Sequence, residues 1–233
     1  MALIPLDFPA GVYRNGTDLQ SKGRWRDSNL VRWFDNTLRP IGGWRTRSDT
    51  ASDAQVRGLH SWIDNDSDRW IAAGSYNKLY IYNGAGVRYD ITPTGLTAGN
   101  ENALQPTGYG NSFYGQEYYG IARQETVTIL PATTWAMDSW GEYLVACSSS
   151  DGKIYEWQLN TGTIAAPVTN APVGCRSILV TEERFLMALG AGGNPRLVQW
   201  SDRENNTVWT PSATNEAGSL ELQTSGRIRC GVK

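Results

Sequence analysis

The stretch that decides the fold runs from residue 135 to 157: Trp135-Ala136-Met137-Asp138-Ser139-Trp140, then Glu142-Tyr143-Leu144-Val145-Ala146-Cys147, then Lys153-Ile154-Tyr155-Glu156-Trp157. Three short apolar runs are separated by Gly141 and by Ser150-Asp151-Gly152, which are turn signals. None of the runs is long enough for a helix of ordinary length, and Tyr and Trp recur at alternate positions of the third. The segment therefore reads as three antiparallel strands joined by tight turns.

The same pattern recurs on either side. Upstream lie Gly58-Leu59-His60-Ser61-Trp62, Arg69-Trp70-Ile71-Ala72-Ala73-Gly74 and Lys78-Leu79-Tyr80-Ile81-Tyr82. Downstream lie Arg176-Ser177-Ile178-Leu179-Val180, Arg184-Phe185-Leu186-Met187-Ala188-Leu189-Gly190 and Arg196-Leu197-Val198-Gln199-Trp200. Fourth-strand candidates follow at 87–91, 163–166 and 207–210. Four short strands in roughly 40–45 residues is the pattern of a propeller blade. Tyr155 and Trp200 are 45 residues apart, whereas Tyr80 and Tyr155 are 75 apart. The excess falls in residues 94–133, read as an insertion with a strand at 124–130. A β-sandwich also offers short strands at regular spacing. The aromatic residue recurring in each third strand favours the propeller.

The fold class read from the sequence is thus all-β and β-propeller-like, with an N-terminal extended arm and hairpin. Residues 51–233 hold units near 56–93, 134–170 and 175–213, and the start of a fourth at 218–233. Three blades do not close a ring, since propellers need about four to eight. An incomplete propeller, continued by further chain or covered by partners, is the expectation.

Residues 1–50 differ in character. They carry eight basic and five acidic residues, a balance of +3, against −5 for the remainder and −2 for the whole chain. Extended chain broken by Pro5, Pro9 and Gly11 leads to strand candidates at 28–34 and 37–41 around the turn Asp35-Asn36. Arg14, Arg24, Arg26, Arg32, Arg39, Arg45 and Arg47 are interspersed with Trp25, Trp33 and Trp44. Arg and Trp are enriched at interface hot spots. The arm reads as a docking segment, with Arg14, Arg24, Trp25, Arg26, Arg32, Trp33, Arg39, Trp44 and Arg45 as subunit-interface candidates. Arginine stacking on tryptophan inside the arm is the structural alternative.

Little else in the chain points to chemistry. His60 is the only histidine, beside Trp62 on a strand, and reads as a packing residue. Asp64, Asp66 and Asp68 resemble the start of a calcium loop, but Arg69 replaces the required Gly and Ser75 the closing Glu. A solvated turn is the reading for them and for Asp202-Arg203-Glu204-Asn205-Asn206. Gly190-Ala191-Gly192-Gly193-Asn194 leads to Pro195 and a strand, so it is a turn and not a phosphate loop. Cys147, Cys175 and Cys230 are far apart and read as buried free thiols. No residue is expected to be catalytic or to hold a metal or cofactor. No signal peptide is visible, and no apolar run approaches the ~18 residues of a membrane span.

Several blocks resemble a family of bacteriophage virion proteins. They are Leu3-Ile4-Pro5-Leu6-Asp7-Phe8-Pro9-Ala10-Gly11-Val12-Tyr13-Arg14-Asn15-Gly16-Thr17, Asn29-Leu30-Val31-Arg32-Trp33, Leu38-Arg39-Pro40-Ile41-Gly42-Gly43-Trp44, and residues 199–211 followed by Asn215-Glu216-Ala217-Gly218. The resemblance implies a tail structural protein made in the host cytoplasm and carried in the virion. Members of that family run past a point such as this C-terminus. The architecture is more loosely similar to the propeller-bearing nozzle proteins of short-tailed phages, rings of six copies that retain and release packaged DNA. That likeness implies a homo-oligomeric ring, a neighbouring tail protein such as an adaptor, and non-specific proximity to DNA. A propeller binding host glycans is the alternative function. A glycan-cleaving enzyme is a third, and the sequence offers no carboxylate pair for it.

Overall fold

The computed structural model describes residues 9–43, 45–104 and 130–233. The chain forms two compact units, residues 1–47 and 48–233. The expected start of the arm at residues 1–8, Trp44, and the strand expected at 124–130 (except Leu130) lie outside the described residues.

In the first unit, β1 (Val31–Phe34) pairs antiparallel with β2 (Thr37–Pro40). Asp35 and Asn36 form the loop with φ of 48° and 55°. Two left-handed residues match the twist of the flanking strands, and Asn and Asp tolerate that conformation best after Gly. Tyr13 donates its N–H to the carbonyl of Trp25 at 2.8 Å, beside a parallel bridge between Val12 and Trp25.

The second unit contains three four-stranded antiparallel sheets. The first comprises β3 (Gly58–Ile63), β4 (Arg69–Gly74), β5 (Leu79–Tyr82) and β6 (Arg88–Asp90). The second comprises β7 (Trp135–Trp140), β8 (Tyr143–Ser148), β9 (Ile154–Trp157) and β10 (Ala166–Pro167). The third comprises β11 (Ser177–Val180), β12 (Leu186–Leu189), β13 (Leu197–Trp200) and β14 (Gly218–Glu221). Each sheet is a meander in which sequence neighbours pair. The described part of the chain is all-β, and its one helical piece is the 3-10 turn Ala191–Gly193.

The sheets stack face to face. Trp62, Trp70, Ala72, Leu79 and Ile81 of the first pack on Trp135, Leu144, Ala146, Tyr155 and Trp157 of the second. The opposite face of the second, with Trp140, Val145, Cys147 and Ile154, packs on Ile178, Val180, Leu186 and Ala188 of the third. The middle sheet is thus covered on both sides. This explains why β8 reads as an unbroken apolar run, Leu144 to Cys147, and not as an alternation. The turn before β9 depends on glycine: Gly152 has φ of 64°, and a Cβ there would collide with the backbone of Gly174.

The third unit differs from its sequence reading. Residues 207–210 form no strand. Trp209 is buried between the second and third sheets and donates its indole N–H to the carbonyl of Asn206 at 2.7 Å. A side chain anchored into the core takes its backbone out of register with β13. The fourth strand is β14, whose Leu220 pairs with Val198. The start of a fourth unit expected at 218–233 is therefore corrected: Gly218–Glu221 completes the third sheet. Beyond it the chain crosses that sheet's outer face, with Ile228 N–H on the Pro195 carbonyl at 2.9 Å and Gly231 against Leu179 and Leu189. In the second sheet the strand expected at 163–166 is found instead at Ala166–Pro167, sharing only Ala166 with that expectation. The aromatic repeat also breaks. Ala146 pairs with Tyr155, but its counterpart Ala188 pairs with Gln199, so Trp200 projects from the opposite face with Met187.

Candidate functional site

The described interface candidates of the first unit are not buried. Of described residues 9–43 and 45–47, Ser21 alone is buried. Leu19, Leu30, Phe34, Leu38 and Ile41 are exposed. Trp25 and Trp33 meet with ring centroids 6.1 Å apart, and the Trp33 indole N–H is buried without an acceptor. Arg24 lies over the Tyr13 ring and Arg39 over Phe34, at 5.2 and 4.8 Å. Two of the arginines therefore stack on Tyr and Phe. Arg14 pairs with Asp27 at 3.2 Å and Arg26 pairs with Asp18; all four side chains are exposed. Such pairs contribute about 0–1 kcal/mol. Arg32 and Arg45 are exposed, with no ion pair to a described residue. Trp44 lies outside the described residues.

His60 sits where the first strands of the first two sheets meet. Its ring stacks on Trp62 at 5.7 Å, and its Nε2 lies 2.9 Å from Ser139 Oγ. Burial holds its pKa below the ordinary histidine value; the Asp138 charge opposes this and the Lys233 charge adds to it. The Asp138 carboxylate is itself engaged, accepting from Val180 N–H at 2.9 Å and from Lys233 Nζ at 3.0 Å. This carboxylate ties two sheets and the C-terminal strap together.

The acidic clusters serve as turns. Asp64 Oδ1 accepts the N–H groups of Asp66 and Asp68, and its Oδ2 accepts the Trp70 indole N–H at 2.8 Å. Asp202 Oδ1 accepts Glu216 N–H at 2.8 Å. Asn206 is buried and donates to Glu156 across the gap between the second and third sheets. Among the described residues no group of three or more His, Cys, Asp and Glu is placed to hold a metal ion. No helix among them is long and apolar enough to cross a membrane.

A feature missed in the sequence reading is a cavity of about 440 Å³ beside β9 and β10. Glu156, Gln158, Thr163, Thr169, Asn206 and Thr207 supply its polar lining, with Ile164, Pro167 and Val168 as apolar wall. Among the described residues Glu156 is the only acidic one lining it. These groups come from positions up to 51 apart in the chain. The one local signal is Glu156 alternating with the core residues Tyr155 and Trp157.

No family model, curated protein or solved structure matches this chain.

Proposed function

We propose that this chain is a structural, non-enzymatic subunit of a bacteriophage tail, of nozzle or hub type. Its three stacked sheets are blades of a propeller-like array. Its first unit docks onto a neighbouring subunit, and the resulting ring, six copies by analogy, helps retain and deliver packaged DNA. The phage-like sequence blocks supply the setting. The observation that carries the docking role is that, of described residues 9–43 and 45–47, Ser21 alone is buried. A segment of that size with exposed Leu, Ile and Phe does not bury enough apolar surface to order itself alone. Arg and Trp at its surface are the residue types that anchor interfaces. Cyclic closure follows from assembly round a tail axis.

The test is the native mass of the purified chain by light scattering. A ring-sized oligomer is expected; a monomer that also fails to join purified neighbouring tail proteins overturns the reading.

A second reading, a glycan-binding module of the tail, is favoured by the cavity at Glu156. Amides, hydroxyls and one carboxylate suit a neutral polyhydroxylated ligand. A single carboxylate does not suit hydrolysis, which needs a pair.

A further inference from the structure

We infer that the small cavity beside the starts of β7 and β11, lined by Arg176, Arg227 and Arg229, is a binding site for a phosphate-type oxyanion. It holds about 110 Å³. That is nearly four water volumes at ~30 Å³ each, enough for one tetrahedral oxyanion. Three arginines, all exposed, line it from two distant segments. Arg176 precedes β11, while Arg227 and Arg229 belong to the strap that crosses the third sheet. Thr134 and Ser149 add hydroxyl groups, and Pro131 and Ala132 close the wall.

Among the described residues no Asp or Glu lines the cavity, and none of the three arginines forms an ion pair with a described residue. Three arginines beside one cavity make a locally positive surface that favours a bound anion. The backbone is arranged to permit it. Arg176 N–H is fixed on the Leu189 carbonyl at 2.8 Å, and its stem lies against Gly190, where a Cβ would crowd it. The strap is fixed by Ile228 N–H on Pro195 between the other two arginines. Guanidinium forks and hydroxyl donors together match the several oxygens of a phosphate better than the two of a carboxylate.

The site is independent of the tail and glycan readings. Its test uses the full chain, titrated with sodium phosphate at constant ionic strength and followed by NMR. Saturable shifts at Thr134, Ser149 and Arg176 are expected. The variant Arg176→Gln/Arg227→Gln/Arg229→Gln, with an unchanged circular-dichroism spectrum, should bind at least about tenfold more weakly. A second arm uses a thymidine oligonucleotide. Binding that phosphate competes away and the triple variant loses identifies a nucleic-acid strand as the source of the phosphate. Response to phosphate alone identifies a small ligand. No saturable response to either probe, or equal binding by the triple variant, overturns the inference.

Discussion

The indole N–H of Trp135 donates to the main-chain carbonyl of Ser75 at 2.6 Å, tying the first strand of one sheet to a turn of the sheet before it. The ring sits where Gly74 leaves out a side chain, and the Trp135 Cβ and carbonyl lie against its cross-strand partner Gly58. Trp62 answers from the other side, donating to the Glu142 carbonyl at 2.9 Å. Sheet stacking here is thus directed by indole donors as well as by burial.

Changing Gly74 to Ala should place a Cβ inside the Trp135 ring and cost about 1–3 kcal/mol by overpacking. Trp135→Ala should cost about 3–5 kcal/mol. Urea unfolding followed by far-ultraviolet circular dichroism measures both. If the first and second sheets do not stack in this way, Gly74→Ala will be neutral.

Stability should fall on mild acidification because of His60. Burial favours its neutral ring, so its folded pKa lies below the 6.5 of the unfolded chain. A lowered histidine pKa contributes stability that is full above pH 6.5 and declines as pH falls from there through the folded pKa. His60→Gln should flatten the pH dependence of the melting temperature in that window. An unchanged profile would remove His60 as its cause.

A second acid transition belongs to Asp53. Hydrogen bonds from Tyr80 and Arg88 hold its carboxyl below the usual value of 3.8. Its contribution is present above pH 3.8 and is lost as pH falls through the folded pKa. The buried Tyr80 phenol, pushed up to about 12, stays protonated and keeps donating to Asp53 at ordinary pH. Asp53→Asn should weaken the acid step; an NMR titration of the Asp53 carboxyl measures it directly.

Thiol reactivity should separate the three cysteines. Cys147 and Cys175 are buried, and desolvation pushes both thiols up, Cys175 to about 12. Cys230 is exposed. Ellman's reagent should label Cys230 alone in the native chain and all three in denaturant. Fast labelling of Cys147 would contradict the packing of the second sheet on the third.

Deleting residues 1–47 should leave cooperative unfolding intact, because the two apolar clusters lie within residues 48–233. The deleted chain should fail to enter the assembly, as judged by light scattering and by incorporation into particles. Normal incorporation would sink the docking role.

Local pattern determined much of this protein. Short runs with period-2 alternation and Gly, Asp and Asn turns mark the hairpins, because turn chemistry and side-chain direction are local properties. Asp35-Asn36 and Ser150-Asp151-Gly152 are legible for that reason. Tertiary structure decided what no local rule holds. Trp209 looks strand-like, yet its burial between two sheets excludes it from the ladder and hands the edge to β14. Trp200 looks like the counterpart of Tyr155, yet one residue of register sends it to the opposite face. The cavities at Glu156 and Arg176 join residues dozens of positions apart, and only the stacking of sheets brings those side chains within reach of one ligand.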